Sequence, residues 1–385
     1  MNQTGKAAKG LQPRLVRWRR DLHRLAEVGL ELPRTKTYIG EALKELGLEA
    51  RPLGPGLAAD LKSPKPGPTL LLRTDMDALP IREETGLPFA ADGGAMHACG
   101  HDGHMAMLLG AAALLAEDPD SWNGAVRFLF QPGEEIAKGA AALIAAGALD
   151  GVDAVCGLHI GRLFDELATG QIGTFSGTAM ASMDRFTVTF CGRGTHGAAP
   201  HKGIDPIVMA GQYIVAVQTL VSREIPASHS AVVSLGRIEG GQAFNIIPHE
   251  VHLEGTFRAL TVDDRELLGR RVQDLARGVA ALSGGEAIVF WDKGAPPVVN
   301  DPTFTEAFRQ SALRVLPAKD LVTLTQPTMV GEDMALYLQE RPGTFFFLGG
   351  GPGEPHHHPR FDFDEGVLWR GSALLAQMAL DFCDW

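Results

Sequence analysis

Thr69-Leu70-Leu71-Leu72-Arg73-Thr74-Asp75-Met76-Asp77-Ala78-Leu79-Pro80 is the stretch on which the fold turns. Leu70 to Leu72 is a continuous apolar run behind the turn-rich link Pro64 to Pro68, and such a run reads as a strand buried on both faces. It ends in an Asp-Met-Asp. In open α/β sheets, sites form beyond the carboxyl ends of strands, so Asp75 and Asp77 stand where function is expected. The same grammar repeats downstream. Ala125 to Phe130 is a second buried strand and runs straight into Gln131-Pro132-Gly133-Glu134-Glu135. Ala154 to Leu158 is a third, ending at His159, and Thr344 to Leu348 is a fourth, followed by Gly349 to Gly353 and by His356, His357 and His358.

Helical patterns lie between these runs, at His104 to Glu117, Lys138 to Ala148, Pro302 to Val315, Glu332 to Gln339 and Gly366 to Phe382. Upstream, Leu15, Trp18, Leu22 and Leu25 set a helical spacing that is read from Leu11 to Leu46, with His23 and Arg24 in surface or packing roles. Strand, loop and helix in alternation predict an α/β fold, a mainly parallel sheet with helices on both faces. The pattern changes near Ala181. Phe186, Val188 and Phe190 alternate with polar residues, and strands at Val232 to Arg237 and Val251 to Leu260 join helices at Pro206 to Val221 and Val262 to Leu282. These make a compact α+β insert. A chain of 385 residues is also long for one core. The expected division is a first domain from 1–182 and 297–385, with 183–296 inserted as a second.

Composition excludes several function classes. Apolar residues at 45% and charged residues at 21% describe an ordinary globular chain, and a net charge of −11 without a basic run argues against nucleic acid. The N-terminus has no apolar core of a signal peptide, and the longest apolar stretch, Met105 to Ala116, is too short to span a membrane. Cys99, Cys156, Cys191 and Cys383 are scattered, with no Cys-x-x-Cys pair, as in a reducing compartment. A cytoplasmic protein is expected.

His97-Ala98-Cys99-Gly100-His101-Asp102-Gly103-His104 packs three imidazoles, a thiol and a carboxylate into one glycine-punctuated segment. That composition suits a metal-wrapping loop, since glycine turns the backbone tightly while Cys and His supply ligands. Glu134-Glu135 can divide labour, one carboxylate holding metal and the other handling a proton. His159 and one or two of His356, His357 and His358 add ligands at strand ends. A thiolate with imidazoles favours zinc or a neighbouring transition metal over magnesium or calcium.

Taken together, Arg73 to Ile81, His97 to His104, Phe130 to Glu135 and Gly157-Leu158-His159 resemble one family. It is the amidohydrolase branch of the co-catalytic metallopeptidases related to aminoacylase and carboxypeptidase G. The resemblance runs in order through almost the whole chain. It implies two divalent transition-metal ions per subunit (zinc, manganese, nickel or cobalt), held by Cys99 as the bridge with His101, Glu135, His159 and His357. His357 is preferred because the family's ligand stands two residues before a proline, here Pro359. Glu134 is then the general base and later acid, and Asp77 a carboxylate that orients a ligand. Asp102 and His104 take supporting roles.

The insert resembles the family as well. Gly192 to His201 matches a lid and dimerisation motif whose histidine, His196, would polarise the scissile carbonyl, often in the partner's site. Asn245 and Arg258 would hold the substrate carboxylate, a task suited to the planar guanidinium. After Asp21-Leu22-His23-Arg24 the family's His-Pro-Glu is replaced by Leu25-Ala26-Glu27, a departure bearing on packing of the N-terminal helix, while Gly331-Glu332-Asp333 keeps a late acidic motif. The implied activity is metal-dependent hydrolysis of the amide bond of a small N-acyl amino acid, with a metal-bound hydroxide as nucleophile, in a homodimer or homotetramer. A dipeptidase or carboxypeptidase using the same site, a hydrolase of another amide or ester, and a non-catalytic metal-binding protein are the alternatives.

Overall fold

The computed structural model describes residues 1–382, which leaves Cys383 outside it. Two compact units are present. The first comprises Met1–Ala179, Val298–Thr328 and the chain from Asp333 onward. Its strands are β1 (Arg51–Leu53), β2 (Gly56–Lys62), β3 (Thr69–Asp75), β4 (Ala125–Gln131), β5 (Ala154–Gly161), β6 (Ile172–Thr174), β15 (Leu321–Thr323) and β16 (Gly343–Gly349). Short strands β7 (Gly177–Met180) and β14 (Val298–Asn300) lie where the chain leaves and re-enters it. The eight strands form one sheet in the order β1-β2-β4-β3-β5-β16-β6-β15.

The four apolar runs become the parallel centre of that sheet. β3 pairs β4 and β5 in parallel, with Leu72 opposite Phe128 and Cys156, and β5 pairs β16 with His159 opposite Phe347. Every residue of β5 and β16 is buried, which is what a strand covered on both faces requires of its sequence. The flanks differ from the centre. β1, β2 and β4 pair antiparallel, as do β6 and β16. These edge strands are short or end in polar residues such as Asp60 and Lys62, so no apolar run marked them.

Helices α1 (Gln3–Gly10), α2 (Gln12–Leu25), α3 (Pro33–Glu45), α4 (His101–Ala116), α5 (Gly139–Ala145), α8 (Pro302–Val315), α9 (Met334–Glu340) and α10 (Leu368–Phe382) complete this unit. The helical spacing from Leu11 to Leu46 is thus two helices, not one. Pro33 sits in the first turn of α3, and Glu27 Oε2 accepts from the Thr35 N–H at 2.9 Å and from its hydroxyl at 3.0 Å. The Leu25-Ala26-Glu27 departure therefore carries the carboxylate that satisfies orphan donors at the next helix start. Helix α4 is buried almost all round, as expected of a helix with no polar face. It begins three residues earlier than the periodicity indicated, at His101, behind Gly100 with φ 87°. A side chain at Gly100 would also meet Ile160 Cγ2 at 2.9 Å.

The second unit is Met180–Pro297 with Met329–Glu332, a short return not expected from the sequence. Strands β8 (Asp184–Cys191), β10 (Ala231–Gly240), β12 (Glu250–Ala259) and β13 (Glu286–Asp292) form an antiparallel sheet in the order β10-β12-β8-β13. A two-stranded ribbon pairs β9 (Thr195–His196) with β11 (Ile246–Ile247). Phe186, Val188, Phe190, Leu253 and Phe257 share one core with Met209 and Tyr213 of α6 (Pro206–Thr219) and with Leu268 and Val272 of α7 (Val262–Leu282). Strand β13 went unread because its apolar residues Ile288 and Phe290 are exposed.

Candidate active site

Parallel register brings the candidate ligands to one edge of the first unit. Asp75 lies opposite Gln131 where β3 and β4 end, and Gly161 opposite Gly349 where β5 and β16 end. The loops beyond carry Asp77, Glu134, Glu135 and the three histidines, and the start of α4 adds Cys99 and His101.

Hydrogen bonds decide which ring nitrogen each histidine offers. A neutral imidazole has one N–H and one lone pair, so fixing one nitrogen fixes the other. His101 Nδ1 donates to the Asp77 carbonyl and His159 Nδ1 to the Ile160 carbonyl, each at 2.8 Å. Both rings therefore present the Nε2 lone pair. His101 Nε2 is buried without a hydrogen-bond partner among the described residues, an arrangement that is costly unless something binds there. His159 Nε2 lies 3.5 Å from Cys99 Sγ. Burial pushes His101 down to about 3 and His159 well below its ordinary value, so both rings are held neutral.

Cys99, Glu135 and His357 offer ligand atoms within 4.8 Å of one another, as do His101, Glu134 and Glu135. His357 Nε2 is 3.4 Å from Glu135 Oε2, and its main-chain N–H donates to the Ala98 carbonyl, next to Cys99. Its φ of 63° is rare for a residue with a side chain. His356, which stood undecided beside it, also nears the thiol, with Nδ1 3.7 Å from Sγ. His104 does not offer a ligand atom: Nδ1 donates to Asp75 Oδ1 at 2.7 Å and Nε2 accepts from the Ile160 N–H at 2.9 Å. Thiolate, neutral imidazoles and carboxylate together fit divalent transition metals by donor chemistry as well as by placement.

The supporting shell is more extensive than the motifs indicated. Asp77 turns its carboxylate on the glutamate pair, Oδ1 accepting from Glu134 N at 3.0 Å and Oδ2 from Glu135 N at 3.1 Å. Its orienting contact with a histidine ligand is made by its main-chain carbonyl. Burial pushes the Asp77 carboxyl up to about 7 despite those two amides. Burial also opposes ionisation of Asp75, yet His101, His104 and Arg73 hold it well below the usual carboxylate range. Beneath the glutamate loop, Asp333 accepts from Arg73 Nη2 and Gln131 Nε2, each at 2.7 Å, and from Ala140 N at 3.0 Å. Asp333 of the late acidic motif is thus a brace.

A second buried cluster stands behind α4. Asp102 Oδ2 accepts from Arg19 Nε and His23 Nδ1, both at 2.8 Å, and His23 Nε2 faces Glu83 at 3.1 Å. Arg19 Nη2 and Nη1 reach Asp362 and Glu365 at 2.6 and 3.0 Å, so one guanidinium ties α2 to the first turn of α4 and to the chain just past the histidine run. His23 is buried, as a packing role requires, whereas Arg24 is exposed. Arg19 carried no signal in the sequence, being one of several arginines in α2.

In the second unit, His196 and Asn245 are brought together. His196 pairs with Ile246, and the Gly197 N–H donates to the Asn245 carbonyl at 2.7 Å. Both residues are exposed, and His196 lines a groove of about 850 Å³ with Gly240, Ile246, His249 and His252. Arg258 is elsewhere. It lies near the far end of β12, where Nη1 donates to Thr256 Oγ1 at 2.7 Å. From Glu250, which lines the groove, eight residues of strand separate it by roughly 25 Å. The expected joint grip of Asn245 and Arg258 on one carboxylate is therefore not formed within one chain, because β12 runs its full length between them.

Comparison with known proteins places this geometry. The family model described as peptidase family M20/M25/M40 matches residues 71–381. Two N-acetylcysteine deacetylases of Bacillus subtilis are 42% and 40% identical, over 97% of this chain and 89% and 98% of theirs. A solved Bacillus subtilis structure, described as a dinuclear metal-binding peptidase from the M20 family, superposes with a TM-score of 0.83 at 37% identity, covering 97% of this chain and 98% of that one. Matched along most of its length by the family model and nearly end to end by these relatives, the chain belongs to the M20/M25/M40 peptidase family.

Proposed function

We propose that the protein is a dinuclear metal-dependent amidohydrolase that cleaves N-acyl amino acids to a carboxylic acid and an amino acid. The observation that carries this reading is the pair of tautomer-fixed rings, His101 and His159, whose Nε2 lone pairs face the cluster that holds Cys99 and the Glu134-Glu135 pair. Cys99, His101, Glu135, His159 and His357 would hold two divalent ions, with zinc and manganese the leading candidates. Bound there, such ions supply a polarised water and a charge sink for the carbonyl oxygen.

The chain's own groups do the rest. Glu134, its main chain held by Asp77, takes a proton from the attacking water and returns it to the leaving nitrogen, a role worth roughly 10²–10⁴-fold. His196 donates to the carbonyl oxygen as charge builds there, and Asn245 and Arg258 receive the substrate carboxylate. Since His196 and Asn245 lie about 25 Å from Arg258 along β12, a complete site takes these groups from two chains, in a homodimer or a dimer of dimers. The second unit then serves as lid and dimerisation module. N-acetyl amino acids are the first substrates to test, in view of the two deacetylase relatives, and a cytoplasmic setting suits the scattered free thiols.

The deciding experiment measures amino-acid release from acetyl, benzoyl and longer acyl derivatives, with and without chelator. Hydrolysis is expected to need metal and a free substrate carboxylate. It should vanish in Glu134→Gln while two ions per chain remain. No hydrolysis by the metal-loaded protein, or an active Glu134→Gln variant, would overturn the reading.

A further inference from the structure

His356 stands where it could be mistaken for a ligand, and its bonds show another role. Its Nε2 accepts the main-chain N–H of Arg162 at 2.9 Å. A main-chain amide can only donate, so the Nε2 lone pair is consumed and the ring proton resides on Nδ1. That Nδ1–H lies 3.7 Å from Cys99 Sγ, within reach of an N–H···S hydrogen bond. A ring in this tautomer has no lone pair left for a metal.

The surroundings hold the ring in place. Arg162 follows the last residue of β5 and clamps the histidine loop, with Nη1 on the Glu354 carbonyl at 2.8 Å and Nη2 on the Pro352 and Asp362 carbonyls at 2.5 and 2.8 Å. The imidazole packs on the Phe361 ring, centroids 4.7 Å apart. On the other side lies Gly161, with φ 133°, where an added Cβ would fall 2.2 Å from two ring atoms of His356. No residue with a side chain fits there. The end of β5 thus supplies both the space and the amide that set the tautomer.

We propose that His356 is a positioning residue for the Cys99 thiolate. Its Nδ1–H donates to Sγ, which fixes the direction of the sulfur lone pairs and draws charge from the thiolate, while ligation on this loop falls to His357. The inference rests on the reading of Cys99 as a metal ligand. Groups that orient ligands in this way are commonly worth about 10–100-fold in metal affinity.

The test uses full-length protein loaded with cobalt(II), whose thiolate-to-metal charge-transfer band in the near ultraviolet reports on the sulfur. His356→Leu keeps the packing on Phe361 and removes the donor. Its band is expected at longer wavelength than wild type, with two cobalt ions still bound at saturation and affinity about 10–100-fold weaker. His356→Asn, whose amide nitrogen falls near the place of Nδ1, should bring the band back toward wild type. An unmoved band in His356→Leu, or a stoichiometry reduced to one ion, would overturn the proposal. Cys99→Ser separates the two readings. A band that is absent in wild type, or that survives Cys99→Ser, defeats the assignment of Cys99 as a ligand; a Cys99-dependent band that ignores His356 defeats only the positioning role.

Discussion

The main-chain carbonyl of Asp77 accepts a 2.8 Å hydrogen bond from His101 Nδ1, and that bond decides which nitrogen the ring turns toward the cluster. The side chain of the same residue receives the amides of Glu134 and Glu135. One residue therefore sets both a ligand and the acid–base loop. Asp77→Asn keeps the size but turns an amide NH₂ toward one of two main-chain N–H groups, leaving a buried donor unmatched. Metal affinity is expected to fall about 10–100-fold. Activity at saturating metal should remain below wild type, because the glutamate loop is displaced as well. Isothermal titration with zinc, paired with hydrolysis assays, checks both halves. Full activity at saturating metal would show that the Asp77 carboxylate does not hold Glu134.

The two glutamates differ in exposure as well as in neighbours. Glu134 is buried, whereas Glu135 is partly exposed and faces His357 and His101. Glu135→Ala is expected to lose at least one ion in elemental analysis, while Glu134→Ala keeps two ions and loses turnover by about 10²–10⁴-fold. Equal metal loss in both variants would mean that the pair does not divide its labour as assigned.

The parallel core was legible because burial on both faces leaves an unbroken apolar run, and β3, β4, β5 and β16 each carry one. Their ends, Asp75, Gln131, His159 and Gly349, located the site for the same reason. What stayed hidden was set by tertiary contact. The break between α2 and α3 depends on a Glu27 side chain that reaches eight residues forward, although Gly29 and Pro33 marked it locally. Ligand tautomers rest on the carbonyls of Asp77 and Ile160, and carbonyls have no sequence signature. The choice among His356, His357 and His358 could be made only by family resemblance, since three adjacent identical side chains differ in nothing but their surroundings. Arg19 and Asp333 are ordinary letters until the fold buries them.

His23 predicts a pH dependence of stability. Burial opposes its charge, but Asp102 and Glu83 raise its pKa to about 9, above an unfolded value of about 6.5. At pH below about 6.5 both states carry the proton and the stabilisation is complete. As pH rises toward 9 the unfolded chain gives up its proton first, and the contribution, about 3 kcal/mol in all, is lost. Buried His97 works in the opposite direction. Held down to about 4 by burial, it disfavours the folded state as pH falls below about 6.5. Thermal denaturation of the wild type should therefore show a midpoint that drops between pH 6.5 and 9, and His23→Gln should flatten that drop. Parallel pH profiles for the two proteins would remove His23 as the cause.

The separation of His196 from Arg258 makes the last prediction. His196 sits at the groove beside the β9–β11 ribbon, and Arg258 near the opposite end of β12. About 25 Å of strand lies between the two ends, more than one N-acyl amino acid can bridge. If both residues act on one substrate, each site borrows one of them from a second chain. His196→Ala and Arg258→Ala should then each be nearly inactive alone. Mixed by unfolding together and refolding, they would form heterodimers in which one site holds both lesions and the other holds none. Random pairing makes half of the dimers mixed with one intact site of two, so about a quarter of wild-type activity should return. Recovery needs no new contact, only exchange of chains. A mixture as inactive as its parents would place both residues in the service of a single chain, and would require β12 to be traversed in some other way.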